Sequence, residues 1–543
     1  MKTAKKLLLP LLALIILLTA GCAPKYSEWT SGRKAGAEVV ETSKQIEDYT
    51  LMEGDAEEFT LPAFFADDMI VPRDRRINIW GTAPESQNGK IVAAEFKGLK
   101  GSGVIENGEF CFYLQGTLPA GKEKGNSLVV TGGSGVRYEF RNVIVGDIWI
   151  VSGQSNADLT FYGSEKHTKD IKALYGEYLD GATEEDDIRI LHQINWKLLS
   201  KSNIVRTYEP QKNVMKNTSW QLATRKKVYG TSNMSSFSML GYFFAKELYT
   251  LNPEVPVGII MAACGGAPLA LLASPEAVEK FPASLKERTL TLNDFEIPTS
   301  GIYNAFMAPY LNLGITGMIF YQGESDALLS AEYGDALKTT VEDYRVKFGS
   351  DLLFLNVQLT SYGFESGGED LVGVWDAVPE MRYAQAEVKI DGSIGNYEII
   401  PTIDVGFRKG DADGAHPYYK LDIGKRGAQI AASLVYGIGD IENTGFPVPS
   451  KITYNKEEIV IEYAYAGGGL KTLNDKFLEG FEVKKNGQWE YAEGVIDGNK
   501  ITISMADTEG VRYASYLRYM SMDAANLCSG TGNPAVPFSV EFN

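Results

Sequence analysis

Val145-Gly-Asp-Ile-Trp-Ile-Val-Ser-Gly-Gln-Ser-Asn156 is the stretch whose reading decides the fold. Ile148 to Val151 form a short, unbroken apolar run, which suits a strand buried on both faces of a parallel sheet. Gly153 lets the backbone turn sharply. Gln154, Ser155 and Asn156 then stand just past the carboxyl end of a strand, where open α/β sheets place their chemistry. A serine after a glycine is ordinarily a turn residue. A tryptophan-bearing buried strand that feeds directly into Gly-Gln-Ser-Asn makes Ser155 a candidate nucleophile instead. It then needs a base for its proton and donors for an oxyanion.

Working outward, four more apolar runs repeat the pattern. Val257 to Met261 ends at Cys264-Gly-Gly266, and Gly317-Met-Ile-Phe-Tyr321 ends at Gln322-Gly-Glu-Ser-Asp326. The others are Leu352 to Gln358 and Ile399 to Asp404, and Phe237 to Leu251 is amphipathic and helical. Strands alternating with helices predict an α/β domain over 144–440 with a doubly wound parallel sheet. The stretch 158–232 reads as a polar, irregular insertion. Residues 58–143 read as a small β-sandwich, with strand-like Ile77-Asn-Ile-Trp80, Phe110-Cys-Phe112 and Leu128-Val-Val130 and a hairpin signal at Asn107-Gly108. Residues 447–543 return to short strands around Asn486-Gly487 and Asp497-Gly498, a second small β domain.

A chain of 543 residues calls for two to four domains, and 44% hydrophobic with 22% charged residues is a soluble globular composition. The net charge of −18 repels nucleic acid and anionic membranes, so no nucleic-acid partner is expected. Cys22, Cys111, Cys264 and Cys528 follow no metal-ligand spacing. With no HExxH, paired CxxC or P-loop, neither metal nor cofactor is expected. GxSxG is also absent, which argues against a lipase or peptidase of another serine class. Lys2, Lys5 and Lys6 precede the apolar run Leu7 to Leu18 and Thr19-Ala-Gly-Cys22. Residues 1–22 thus read as a secretory signal, too short to span a membrane comfortably. The Ala-Gly-Cys ending resembles a bacterial lipobox, which implies lipid attachment at Cys22. The expected location is extracellular, anchored to a bacterial membrane as a lipoprotein or else secreted, with residues 23–57 as a tether.

Only three histidines can serve as base: His167, His192 and His416. His416 lies in Asp411-Ala-Asp-Gly-Ala-His-Pro417. Asp413 precedes it by three residues, a spacing that can bring a carboxylate to the imidazole and fix its tautomer. His167 and His192 sit in the polar insertion without such neighbours and rank below it, His192 as a possible substrate contact.

Gly-Gln-Ser-Asn after Gly-Asp-Ile-Trp, then Gly265-Gly266, Tyr321-Gln-Gly-Glu-Ser325 and His416-Pro-x-x-Lys420 form an ordered set. With Phe65-Ala-Asp-Asp-Met69, Ile79-Trp-Gly-Thr-Ala83 and Arg382-Tyr-Ala-Gln385, it resembles the sialate O-acetylesterase family. That family belongs to the SGNH (GDSL-like) hydrolases and is related to acetylxylan esterases. The resemblance implies an SGNH-type sheet flanked by small β-sandwich domains. It implies Ser155 as nucleophile and His416 as base, with Asp413 as acid. Asp411 and Asp404 are rivals for that place, and a dyad assisted by a backbone carbonyl is the other arrangement. It implies oxyanion donors at Gly266 and Gln322 beside the Ser155 N–H. Gln154, Asn156 and Glu324 are expected at the substrate, with Arg382 or Arg408 for an anionic sugar. The family commonly has Asp-x-His, where this chain has Gly414-Ala415-His416. Ala157-Asp158 replaces Met-Glu, Ala267 replaces a threonine, and Leu271 or Leu272 stands for a tryptophan. These last positions are expected near the pocket wall. The activity implied is removal of O-acetyl groups from a sugar, sialic acid first, by way of an acetyl-enzyme. Acetylated xylan or another glycan is the alternative substrate, and a non-catalytic glycan-binding lipoprotein the alternative role.

Overall fold

The apolar runs become neighbours in one sheet. The computed structural model describes residues 54–542 except 134, 166–174, 177–186, 193–203, 215–217, 233–234, 293, 362–371, 407–415, 474–476 and 519–524. The sheet strands are β1 (Ile70–Pro72), β2 (Ile144–Gly153), β3 (Ile188–His192), β4 (Ser219–Leu222), β5 (Val257–Ala263), β6 (Gly317–Tyr321), β7 (Leu353–Val357) and β8 (Tyr397–Ile400). Their order is β4-β3-β5-β2-β6-β7-β8, with β1 paired parallel to the start of β2. All pairs are parallel except β3 with β4. The central β2 is buried at all ten positions, as its continuous apolar text demands. Trp149 fills the layer beneath the sheet against Phe244, ring centroids 4.9 Å apart. Gly317 makes that possible, because a Cβ there would come within 2.3 Å of the indole.

Two strands correct the reading of 158–232 as irregular. Both β3 and β4 come from it, and they extend the main sheet beyond β5. Arg189 is the second residue of β3, fully buried, with its guanidinium 3.2 Å from Asp68. A buried arginine with a distant carboxylate partner makes an interior strand look polar in sequence.

The flanking regions are β structure. Residues 78–113 contribute the pair Asn78–Thr82 with Glu109–Tyr113, and a four-stranded antiparallel sheet spans Ile91 to Phe140. After residue 447 there are two further four-stranded antiparallel sheets. Gln358, after β7, donates to the Pro537 carbonyl at 3.0 Å and ties the last segment to the α/β region.

Four helices frame the sheet: α1 (Met239–Leu251), α2 (Ser330–Phe348), α3 (Val372–Ile390) and α4 (Lys420–Ala431). Ser238 caps α1 by accepting from the Gly241 N–H. Helix α4 crosses α1 closely, since a Cβ on Gly424 would lie 2.8 Å from the Phe243 Cβ. That contact fixes the first residue of α4, Lys420, at the sheet's carboxyl edge. Among the described residues, no helix is long and apolar enough to cross a membrane.

Candidate active site

Register sets three loop tips level. Gly153 pairs with Ala263 on one side and Tyr321 on the other. The chains then leave the sheet together. Gly153 takes φ +129°, and a Cβ there would lie 2.0 Å from the Tyr321 carbonyl oxygen. Only glycine fits so close an approach. The Gln154 N–H donates to that same carbonyl at 3.0 Å, and Ser155 opens a single helical turn. Ser155 is thereby held half-buried and pointing off the sheet edge. His416 Nε2 lies 2.8 Å from Ser155 Oγ, although 261 residues separate them. This is the hydrogen-bond distance that a serine nucleophile and a histidine base would need.

Beneath the pair runs a buried polar network. Asn156 Nδ2 donates to Glu324 Oε1 at 2.6 Å, and Asn156 Oδ1 accepts from Lys420 Nζ at 2.7 Å. Lys420 is fully buried, its ammonium 5.0 Å from the centroid of the Tyr321 ring. Burial pushes the Glu324 carboxyl above its usual range; the Asn156 hydrogen bond and the charges of His416 and Lys420 pull the other way. The Glu324 Oε2 atom is buried with no hydrogen-bond partner among the described residues. A second network joins the other two tips. Asp326 Oδ2 accepts from Gln322 Nε2 and from the Leu269 N–H, both at 2.7 Å. Tyr333 donates to Gln322 Oε1 at 2.7 Å, and the Ser325 hydroxyl donates to the Gly266 carbonyl at 2.9 Å. Burial raises the Asp326 carboxyl as well.

Comparison with known proteins points the same way as the geometry. A family model described as carbohydrate esterase, sialic acid-specific acetylesterase, matches residues 145–407. The resemblance of this region is to the sialic acid-specific acetylesterases. Human sialate O-acetylesterase is 24% identical over 319 residues, 57% of this chain and 57% of its own. The rat enzyme is 24% identical over 356 residues, 57% of this chain and 60% of its own. The chain thus spans a little over half the length of these curated relatives. A carbohydrate acetylesterase from Xanthomonas citri superposes with a TM-score of 0.70 at 22% identity, covering 89% of this chain and 99% of that one. That likeness shows the fold, an α/β sheet with added β structure.

At this edge of the sheet the expected site residues meet different fates. Ser155 and His416 meet. The N–H groups of Ser155 and Gly266 have no backbone acceptor among the described residues, and Gly266 is exposed with φ +79°. Gln322 does not behave as expected of an oxyanion donor. It is fully buried, and its amide N–H groups are turned to Asp326, Ala267 and Gln154. Arg382 is also corrected: it is fully buried on α3 and donates to the Thr360 carbonyl at 3.1 Å, out of a substrate's reach. Gln154 and Asn156 are 4% and 1% exposed, with Gln154 accepting from the Ser325 N–H. Both are braces rather than contacts. The Leu271 and Leu272 side chains are fully buried too, so they back the wall and do not face the site. Asp404 is held by both terminal nitrogens of Arg426, at 2.8 and 2.5 Å. Asp413, Asp411, Arg408, His167 and Cys22 lie outside the described residues, as does the side chain of His192.

Sequence reasoning passed over Asp326, Tyr333 and Lys420 as working parts. Asp326 and Lys420 carried a signal, since each ends a quoted motif and is a charged residue inside apolar text. Tyr333 carried none. Among the described residues, no group of three His, Cys, Asp or Glu side chains could hold a metal ion.

Proposed function

We propose that this chain is a serine esterase that removes O-acetyl groups from a sugar through an acetyl-enzyme. The observation that carries the reading is the 2.8 Å contact of His416 Nε2 with Ser155 Oγ. His416 takes the Ser155 hydroxyl proton as Oγ bonds to the acetyl carbon. The carbonyl oxygen becomes an oxyanion, and the N–H groups of Ser155 and Gly266 receive it. Collapse breaks the bond from the acetyl carbon to the sugar oxygen, and His416 gives that oxygen the proton. Water then repeats the sequence against the acetyl-enzyme and releases acetate. Each oxyanion donor is worth about 10²–10³ in turnover.

Sialic acid is the first candidate sugar, supported by the family description that matches the catalytic region. Burial of Arg382 removes one of the two cations expected for its carboxylate and leaves Arg408, which lies outside the described residues. Acetylated xylan and other neutral acetylated glycans therefore belong in the same assay. The proposal also puts the protein outside the cytoplasm, held by lipid on Cys22 or secreted. That rests on the text from Lys2 to Cys22, and radiolabelled palmitate incorporation that is lost in Cys22→Ser checks it.

The deciding experiment is acetate release from 4-nitrophenyl acetate and from a panel of O-acetylated sialic acids, xylan and other glycans. Ser155→Ala and His416→Ala are each expected to lower kcat/KM by about 10⁴-fold or more. Wild-type rates in Ser155→Ala, or no acetate from any substrate, would overturn the reading.

A further inference from the structure

Of the two cations expected for an acidic sugar, Arg382 is fully buried and Arg408 lies outside the described residues. The carboxyl edge presents a third. Arg288 follows the helical turn Ala283–Lys286 and precedes the strand Leu290–Leu292. Its backbone N–H donates to the Leu285 carbonyl at 3.3 Å, which sets the direction of the chain there. Its guanidinium reaches the third loop tip. Nη2 donates to the Ser325 carbonyl at 2.6 Å, and Nε lies 3.6 Å from Asp326 Oδ1.

Ser325 places that guanidinium close to the reacting atoms. Its N–H donates to Gln154 Oε1 at 3.1 Å, on the residue before the nucleophile, and its hydroxyl donates to the Gly266 carbonyl at 2.9 Å. One residue thus joins the Ser155 tip, the Gly266 tip and Arg288. Leu290 closes in from the other side, since a Cβ on Gly266 would lie 3.4 Å from its Cδ1. The segment from Arg288 to Leu290 is therefore a wall beside the N–H groups offered to the oxyanion.

Exposure separates Arg288 from the other cations described above at this edge. Lys420 is fully buried, and Arg426 gives both terminal nitrogens to Asp404. The Arg288 side chain keeps 41% of its surface. A guanidinium carries more N–H groups than one carbonyl can accept, in a planar fork that fits a carboxylate. Asp326 offsets part of its charge without taking a hydrogen bond from it. The whole chain carries a net charge of −18, so an anionic sugar nears it only where a local cation offsets that field.

We propose that Arg288 is a specificity-determining residue that binds the carboxylate of an acidic acetylated sugar, a sialic or a uronic acid, while Ser155 faces the acetyl group. Arg288 touches the substrate, takes no proton and makes no covalent bond. The inference rests on the esterase reading and names the charge of its substrate.

The test measures acetate release by the full chain from O-acetylated N-acetylneuraminic acid and from an O-acetylated methyl glucuronoside, each beside its own carboxamide. The amide keeps the shape and loses the charge. For the wild type, kcat/KM on at least one acid should exceed that on its amide roughly tenfold, through KM, and the ratio should shrink at about 0.5 M salt. In Arg288→Gln the ratio should fall to about one, and in Arg288→Lys it should stay above about three. Loss of the bond to Ser325 lowers acid and amide together, so a merely structural role leaves the ratio unmoved. A wild-type ratio of about one for both sugars, or a ratio that survives in Arg288→Gln, would overturn the proposal. Collapse of the ratio in Arg408→Gln alone would overturn it too and give the task to Arg408. If 4-nitrophenyl acetate is cleaved but neither acidic sugar is, the proposal fails and the esterase reading stands. If no ester is cleaved, the esterase reading fails. Calorimetric titration with N-acetylneuraminic acid and its amide then still decides, since an acid preference shared by the wild type and Arg288→Gln counts against Arg288.

Discussion

The two edges of the parallel sheet are built to different ends. At the carboxyl edge, Gln154, Asn156, Gln322, Asp326 and Lys420 are each nine-tenths buried or more, and hydrogen bonds between loop tips hold them. At the amino edge, where Gly314 precedes β6 and Phe348 precedes β7, there is a cavity of about 480 Å³. Its lining includes Trp80, Phe110, Pro309 and Leu311, with Arg75 and Arg76. The cations near it have local partners. Arg75 pairs with Asp351 at 2.6 Å, Lys347 with Glu276 at 3.1 Å, Lys212 with Glu109, and Arg76 lies 4.1 Å over the Tyr113 ring. Its lining holds no serine or histidine, whereas the carboxyl edge brings Ser155 and His416 together. That contact lies where strand ends converge, as expected for the site of an open α/β sheet.

The strongest way to break the contrast is at Gly153. Alanine there must push its Cβ away from a carbonyl oxygen 2.0 Å off and adopt φ +129°. Strands β2 and β6 would have to part. We expect a loss of about 4 kcal/mol or more, seen as a failure to fold or a large drop in Tm. A Gly153→Ala protein with wild-type Tm and activity would mean that the turn is not held as described.

Next in size is Asp326→Ala, which leaves the Leu269 N–H and the Gln322 amide without their acceptor in a dry site. The expected cost is about 3 kcal/mol, read by denaturant unfolding. Ester hydrolysis should drop roughly tenfold as the loop after Gly266 loses the bridge from Leu269 through Asp326 to Gln322. An active protein of unchanged stability would show that the loop tips hold themselves.

What could be read from sequence follows the same division. Five of the parallel strands, β2 and β5 to β8, were legible because strands buried on both faces are written as unbroken apolar runs. Ser155 and His416 were legible because few serines follow such a strand and few histidines exist to pair with one. The β3 strand was not, since Arg189 is paid for by Asp68 more than a hundred residues away. Gln322 and Arg382 were assigned outward-facing tasks by their place in motifs. Burial depends on neighbours from α2 and α3 that no local pattern reveals.

A smaller effect sharpens the comparison through pH. The Glu324 carboxyl is raised by burial, so the folded chain holds its proton to higher pH than the unfolded chain does. Stability from this group is therefore fully present below the ordinary glutamate range and is lost as pH rises through the elevated value. Glu324→Gln removes that loss. Its Tm should exceed that of the wild type by roughly 2 °C at pH 8, with the gap closing by pH 4. A wild type that is the more stable of the two at pH 8 would contradict the burial argument.

The smallest effect belongs to the amino edge. Arg76 is exposed, and its guanidinium rests on Tyr113. Arg76→Ala should cost about 0.5 kcal/mol, the loss of one surface cation–π contact. It should leave ester hydrolysis within about twofold, because strands β2 and β6 separate this edge from Ser155 and no polar chain described above links the two. The same variant is informative precisely where the large ones are not, since it does not perturb folding. If Arg76→Ala lowers kcat/KM on an acetylated glycan but not on 4-nitrophenyl acetate, the cavity takes part in holding the sugar chain and the two edges work together. If both substrates are hydrolysed as before, the amino edge serves to join the N-terminal β region to the sheet, and all of the chemistry stays with the carboxyl ends.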